Sequence, residues 1–114
     1  MTQLSVSVSV EEDAEGPQTL IRLVGEADAS TPELGETLRA EVAKKPRVLV
    51  VDASKLTFID SAAIHQIVRA HRQLRADGGW LLLRNPGPEV KRILQITGLG
   101  LVIPVHPSLG EADT

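Results

Sequence analysis

Asp60 and Ser61 open a segment whose apolar residues recur with helical spacing, and here a hydroxyl is placed where it could do chemistry. A Ser at a helix start places its hydroxyl where backbone N–H groups lack partners and the helix dipole is positive. A second reading needs no chemistry, because Asp and Ser are both preferred helix N-caps. His65 follows Ser61 by four residues, a spacing that lets side chains meet, so a hydrolytic dyad supported by Asp60 can be drawn. Such a triad needs its acid to orient the base, but Asp60 precedes Ser61 in the connection and no Gly-rich oxyanion loop accompanies it. His65 and His71 lie about 240° apart around a helix, which excludes the paired ligands of a two-turn zinc motif. His71 falls on the apolar face instead. Asp52 closes an aliphatic run as a receiver-type phosphoacceptor does, but the first strand leads into a hairpin and the last contains Pro104. Asp52 is therefore read as capping the loop that presents Phe58.

The elements that must position these residues are legible from periodicity. Leu4 to Val10 alternates apolar and hydroxyl side chains, the pattern of a strand with one buried face, at or near the edge of a sheet. The acidic stretch Glu11 to Glu15 with Gly16-Pro17 reads as a long solvated hairpin tip, and Thr19 to Val24 as the returning strand. Ser30-Thr31-Pro32-Glu33 marks a helix start, and the helix runs to about Lys44, where Pro46 stops it. Arg47 to Asp52 is a strand buried on both faces, as in a parallel sheet with helices on either side. Ser61 to Ala76 is an amphipathic helix with Ile64, Ile67, Val68, His71 and Leu74 inward, and His65, Arg69, Arg72 and Gln73 outward. Trp80 to Arg84 is a strand, Pro88 to Thr97 a helix stopped by Gly98, and Leu101 to Val105 a last short strand; Ser108 to Thr114 could at most begin a helix. The expected fold class is α/β: a mixed, mostly parallel sheet with an N-terminal antiparallel hairpin and flanking helices.

Composition narrows function further. The 114 residues carry 12 Lys+Arg against 15 Asp+Glu, a net charge of −3, and no Cys. Thiol chemistry, disulfides and Cys-built metal sites are excluded. A mildly acidic chain whose aromatics are Phe58 and Trp80 offers neither the charge nor the stacking platform that nucleic acid needs. No apolar run approaches the roughly 18 residues of a membrane span, and the N-terminus lacks the basic start of a signal peptide, so one cytoplasmic domain over 1–114 is expected. With no Gly-rich phosphate loop, no cofactor is expected.

Four stretches in register, spanning nearly the whole chain, are similar to the STAS domain family and in particular to bacterial anti-anti-sigma factors (anti-sigma factor antagonists). They are Gly25 to Asp28, Val50 to Ser61, Pro88 to Leu94 and Ile96 to Leu99. The resemblance implies the STAS-type fold and, by motif position, a phosphoacceptor role for Ser61. It implies an anti-sigma factor with a serine-kinase fold as partner, a phosphatase to reverse the mark, and no enzymatic activity of the chain's own. Asp28, Leu56, Phe58, Asp60, Ser61, Ala62, Ala63, His65 and Arg69 form the expected partner-binding surface, with Leu56 and Phe58 as exposed apolar anchors. Ala62 and Ala63 stand where the family pattern has Ser/Thr-Gly, so a second acceptor hydroxyl is absent, and Ala63 adds a methyl. The alternative within the family is a non-switching scaffold or transporter-associated subunit.

Overall fold

The computed structural model describes residues 4–13, 16–28 and 30–106. Among them the elements are β1 (Ser5–Asp13), β2 (Gly16–Ala27), α1 (Pro32–Ala43), β3 (Val48–Ile59), α2 (Ser61–Ala76), β4 (Trp80–Arg84), α3 (Pro88–Thr97) and β5 (Val105–His106). The strands form one sheet in the order β1-β2-β3-β4-β5, antiparallel at β1–β2 and parallel thereafter.

That order decides where the helices lie. Each of the three crossovers joins a strand to its next neighbour in the same direction, and right-handed crossovers of that kind put every helix on one face. Leu34 and Leu38 of α1, Ile64 and Ile67 of α2, and Val90 and Leu94 of α3 accordingly share one core cluster with Leu23, Leu49, Val51 and Leu81. The expectation of helices on both sides is thus corrected. β3 is still buried on both faces, because Leu20 and Val50 are buried outside that cluster and Arg22, Asp52 and Arg84 stand in register across the opposite face.

Three further expectations are corrected. The acidic stretch is not a long solvated tip: pairing continues to Asp13↔Gly16, and Glu11 meets Arg84 of β4 at 3.4 Å. Alternation along a strand sends the neighbours Glu11 and Glu12 to opposite faces, which lessens the repulsion that favoured a loop. The last strand is only Val105–His106, since Leu99–Leu101 forms a 3-10 turn and Pro104, lacking an N–H, contributes its carbonyl to the Leu83 N–H at 2.9 Å. The strand read from Arg47 to Asp52 runs on to Ile59. The helix start expected after Ser108 lies outside the described residues.

The α2–β4 turn allows only glycine at Gly79, where a Cβ would stand 2.5 Å from the Pro46 carbonyl oxygen. This turn delivers Trp80 beside α2, with the Arg75 guanidinium 3.7 Å from its ring centroid and the His71 ring at 6.0 Å. His71 is buried and, among the described residues, its Nδ1 has no hydrogen-bond partner. Burial, then the charges of Arg75 and Arg72, hold its pKa below the ordinary 6.5. The unfolded chain therefore binds the proton more readily, so this contribution to stability is complete above pH 6.5 and is lost as pH falls toward the lowered native value. Urea unfolding followed by the Trp80 fluorescence should show a lower midpoint at about pH 5.5 than at about pH 7.5, with the difference reduced in His71→Leu.

Candidate functional site

The site is built at the carboxyl ends of β2 and β3, where parallel α/β sheets present their loops. β3 reaches it through two irregularities. Arg22 pairs with Asp52 but Val24 with Lys55, and Gly25 pairs with Leu56 but Glu26 with Phe58, so β3 twice carries one more residue than β2. The first extra residue is held by the Asp52 carboxylate, which accepts the Ser54 N–H at 2.9 Å. The second is held by Thr57, whose hydroxyl donates to the Gly25 carbonyl at 3.1 Å.

Asp52 is 7% exposed and lies between Arg84 (3.7 Å) and Arg22 (3.8 Å). Burial raises its pKa, but the Ser54 N–H and hydroxyl with the two guanidiniums outweigh burial and hold it below the usual carboxylate range. A buried carboxylate needs this pairing to remain charged. It acts within a strand, rather than at the head of a loop as the sequence suggested.

Because of the two bulges, every third residue rather than every second enters the core: Ala53, Leu56 and Ile59 are buried while Ser54, Lys55, Thr57 and Phe58 are exposed. The two expected apolar anchors therefore separate. Leu56 is 4% exposed and belongs to the core, whereas Phe58 is 42% exposed. Only Phe58 is available to a partner.

Ile59 pairs with Ala27, and the Asp60 N–H donates to the Ala27 carbonyl at 3.1 Å, which ties the head of α2 to the end of β2. Asp28 follows directly. Its Oδ1 accepts the Ser30 N–H at 2.9 Å and the Ser30 hydroxyl at 2.6 Å, and these bonds lower its pKa. Thr31 does not cap α1 with its side chain: its hydroxyl donates to the Asp28 carbonyl at 2.6 Å and accepts the Asp28 N–H at 3.2 Å. Ser30, Thr31, Ser54 and Thr57 shape the site although none was singled out for it. Their signal was only that of turn and cap hydroxyls.

Asp60 is the N-cap of α2, its Oδ1 accepting the Ala63 N–H at 2.8 Å. This assigns the capping role to Asp60 and leaves Ser61 as the first helical residue. Ser61 is exposed, and among the described residues its hydroxyl makes no hydrogen bond and the N–H groups of Ser61 and Ala62 find no acceptor. His65 Nδ1 donates to the Ser61 carbonyl at 2.7 Å, so the imidazole is engaged with backbone and not with the hydroxyl a dyad would require. Ser61, His65 and Arg69 form an exposed stripe at four-residue spacing. Ala62 is exposed beside it, while the Ala63 methyl is buried in the core, away from the surface a partner would approach.

The division of labour between Asp60 and Ser61 is measurable. Asp60→Ala should cost about 1 kcal/mol of stability through loss of the cap, and Ser61→Ala less than about 0.5 kcal/mol, by chemical denaturation. Truncation should likewise separate Leu56 from Phe58: Leu56→Ala should cost about 2–5 kcal/mol, whereas Phe58→Ala, at a 42% exposed position, should cost much less by the same measurement.

Comparison with known proteins meets this geometry. The STAS domain family matches residues 7–112. The anti-sigma-B factor antagonist of Listeria monocytogenes is 28% identical over 111 residues, covering 96% of each chain. BtrV of Bordetella bronchiseptica, named as a candidate anti-sigma factor antagonist, is 32% identical over 80 residues, 70% of this chain and 69% of its own. Among solved structures, an anti-sigma factor antagonist from Mycobacterium paratuberculosis superposes with a TM-score of 0.75 at 28% identity, covering 95% of this chain and 91% of its own. The anti-sigma factor antagonist SpoIIAA in its unphosphorylated form gives 0.64 at 26% identity, covering 87% of each chain. Family match, relatives and architecture agree, and the chain belongs to the STAS domain family.

Proposed function

We propose that this chain is an anti-sigma factor antagonist that binds a serine-kinase-type anti-sigma factor through the carboxyl edge of β2 and β3 and the head of α2, and that phosphorylation of Ser61 ends the binding. The observation that carries this reading is the state of Ser61: exposed, unbonded through its hydroxyl, and relieved of capping by Asp60. Relatives named as anti-sigma factor antagonists support the partner class, and SpoIIAA is itself described by its phosphorylation state.

The chemistry fits the position. Ser61 Oγ takes the γ-phosphoryl group of ATP held by the kinase, forming the O–P bond as its proton passes to the kinase's base and ADP leaves. The resulting ester carries about −1.5 to −2 charges at pH 7. In the free protein the open N–H groups of Ser61 and Ala62 and the positive end of α2 accommodate that charge, so the fold persists. In a docked complex the same phosphate lies beside the Asp60 carboxylate and loses its water, a penalty of several kcal/mol and on the order of a hundredfold or more in affinity. Phe58 supplies the apolar anchor, and the His65–Arg69 stripe a charged rim that steers encounter. A cytoplasmic location and a single domain over 1–114 accompany this reading.

Titration of the cognate anti-sigma factor by calorimetry tests it. Ser61→Ala should bind as the wild type does, and Ser61→Asp and Ser61→Glu should lose binding about a hundredfold while keeping the wild-type unfolding transition. Unchanged binding by both acidic variants would refute the switch and favour a constitutive scaffold.

A further inference from the structure

We propose that β1 is a self-association edge: two copies of this chain pair their β1 strands antiparallel about a two-fold axis through Val8, joining their sheets into one. β1 is 9 residues long and ends the strand order, so every second residue directs its N–H and C=O away from β2. Edge strands are ordinarily guarded against such pairing by charged side chains, a Pro or a bulge. Ser5–Asp13 contains no Pro, its charges are confined to the acids at one end, and its ladder with β2 runs unbroken from Ser5↔Val24 to Asp13↔Gly16. Val8 and Val10 are 44% and 67% exposed on a strand whose other valine, Val6, packs on the core.

The sequence of the strand favours a second copy over a foreign strand. Val6-Ser7-Val8-Ser9-Val10 reads identically in both directions, so a two-fold through Val8 sets Val8 opposite Val8, Ser7 opposite Ser9, and Val6 opposite Val10. All the valines then fall on one face as an apolar stripe that continues from strand to strand. Charge sets the orientation. In a parallel pair Glu11 and Glu12 would run beside their own copies, whereas the antiparallel register places Glu11 opposite Ser5 and Glu12 opposite Leu4.

The test is sedimentation velocity on the full chain across about a hundredfold range of concentration, with two kinds of variant. The wild type should show a reversible monomer–dimer equilibrium, and Val8→Lys, which sets like charges opposite each other at an exposed position, should weaken it by about tenfold or more. The chain has no Cys, so Val8→Cys should form an interchain disulfide on mild oxidation, the opposed Cα atoms lying about 4.5–5.5 Å apart and so within the reach of a disulfide, while Ser5→Cys should not. If Val8→Lys fails to fold, the two cysteine variants decide alone. A chain that stays monomeric throughout, a dimer indifferent to Val8→Lys, or Val8→Cys that cross-links no faster than Ser5→Cys would each overturn the proposal. None of these readouts depends on Ser61.

Discussion

The two extra residues in β3 are the constraint on which the rest of the site depends. They convert a strand of alternating burial into one where Ala53, Leu56 and Ile59 reach the core at every third position. With Ile59 anchored beside Ala27, the next residue must be Asp60, and its N–H is already committed to the Ala27 carbonyl. The head of α2 is thereby held against the end of β2. Bulges are uncommon in parallel pairs and are enriched beside functional sites, where they re-aim side chains. Here they turn Phe58 outward and set Ser61 at the rim of the sheet.

What holds the bulges is polar and partly buried. The Asp52 carboxylate accepts the Ser54 N–H while two arginines keep it ionised, and Glu11 extends this network to the first strand through Arg84. The network lies on the face that the one-sided winding leaves without helices. A charged cluster there stabilises little by itself, because desolvation offsets most of the attraction, but its Arg22 and Asp52 stand opposite each other in the register of β2 against β3. Register is what the site needs, since a slip of one residue would exchange Phe58 with a core position.

Much of this was legible in the sequence. Helix α2 runs from Ser61 to Ala76 and α3 from Pro88 to Thr97, as periodicity and punctuation indicated, because caps, Pro and Gly act locally. The stretch from Ala53 to Ile59 was read as a loop for a physical reason: a three-residue burial period matches neither a strand nor a helix pattern, and only the partner strand shows why it arises. The burial of Leu56 was hidden by the same irregularity. The division between Asp60 as cap and Ser61 as free hydroxyl could not be assigned from residue type, since both are good caps; one hydrogen bond to Ala63 separates them. The one-sided placement of the helices follows from strand order, which is a long-range property of the chain.

Asp60 thus spares Ser61 from structural work, and a serine spared in this way can be modified without unfolding the helix it begins. The exchange of the family's glycine for Ala63 leaves this intact, because that methyl points into the core. Intact-mass spectrometry of the protein recovered from its host under growth and stress conditions, with and without phosphatase and with fragmentation to locate the group, tests the claim most directly. The account predicts a phosphatase-sensitive phosphate on Ser61 whose occupancy changes with condition. Protein that never carries phosphate, or carries it on another residue, would contradict it.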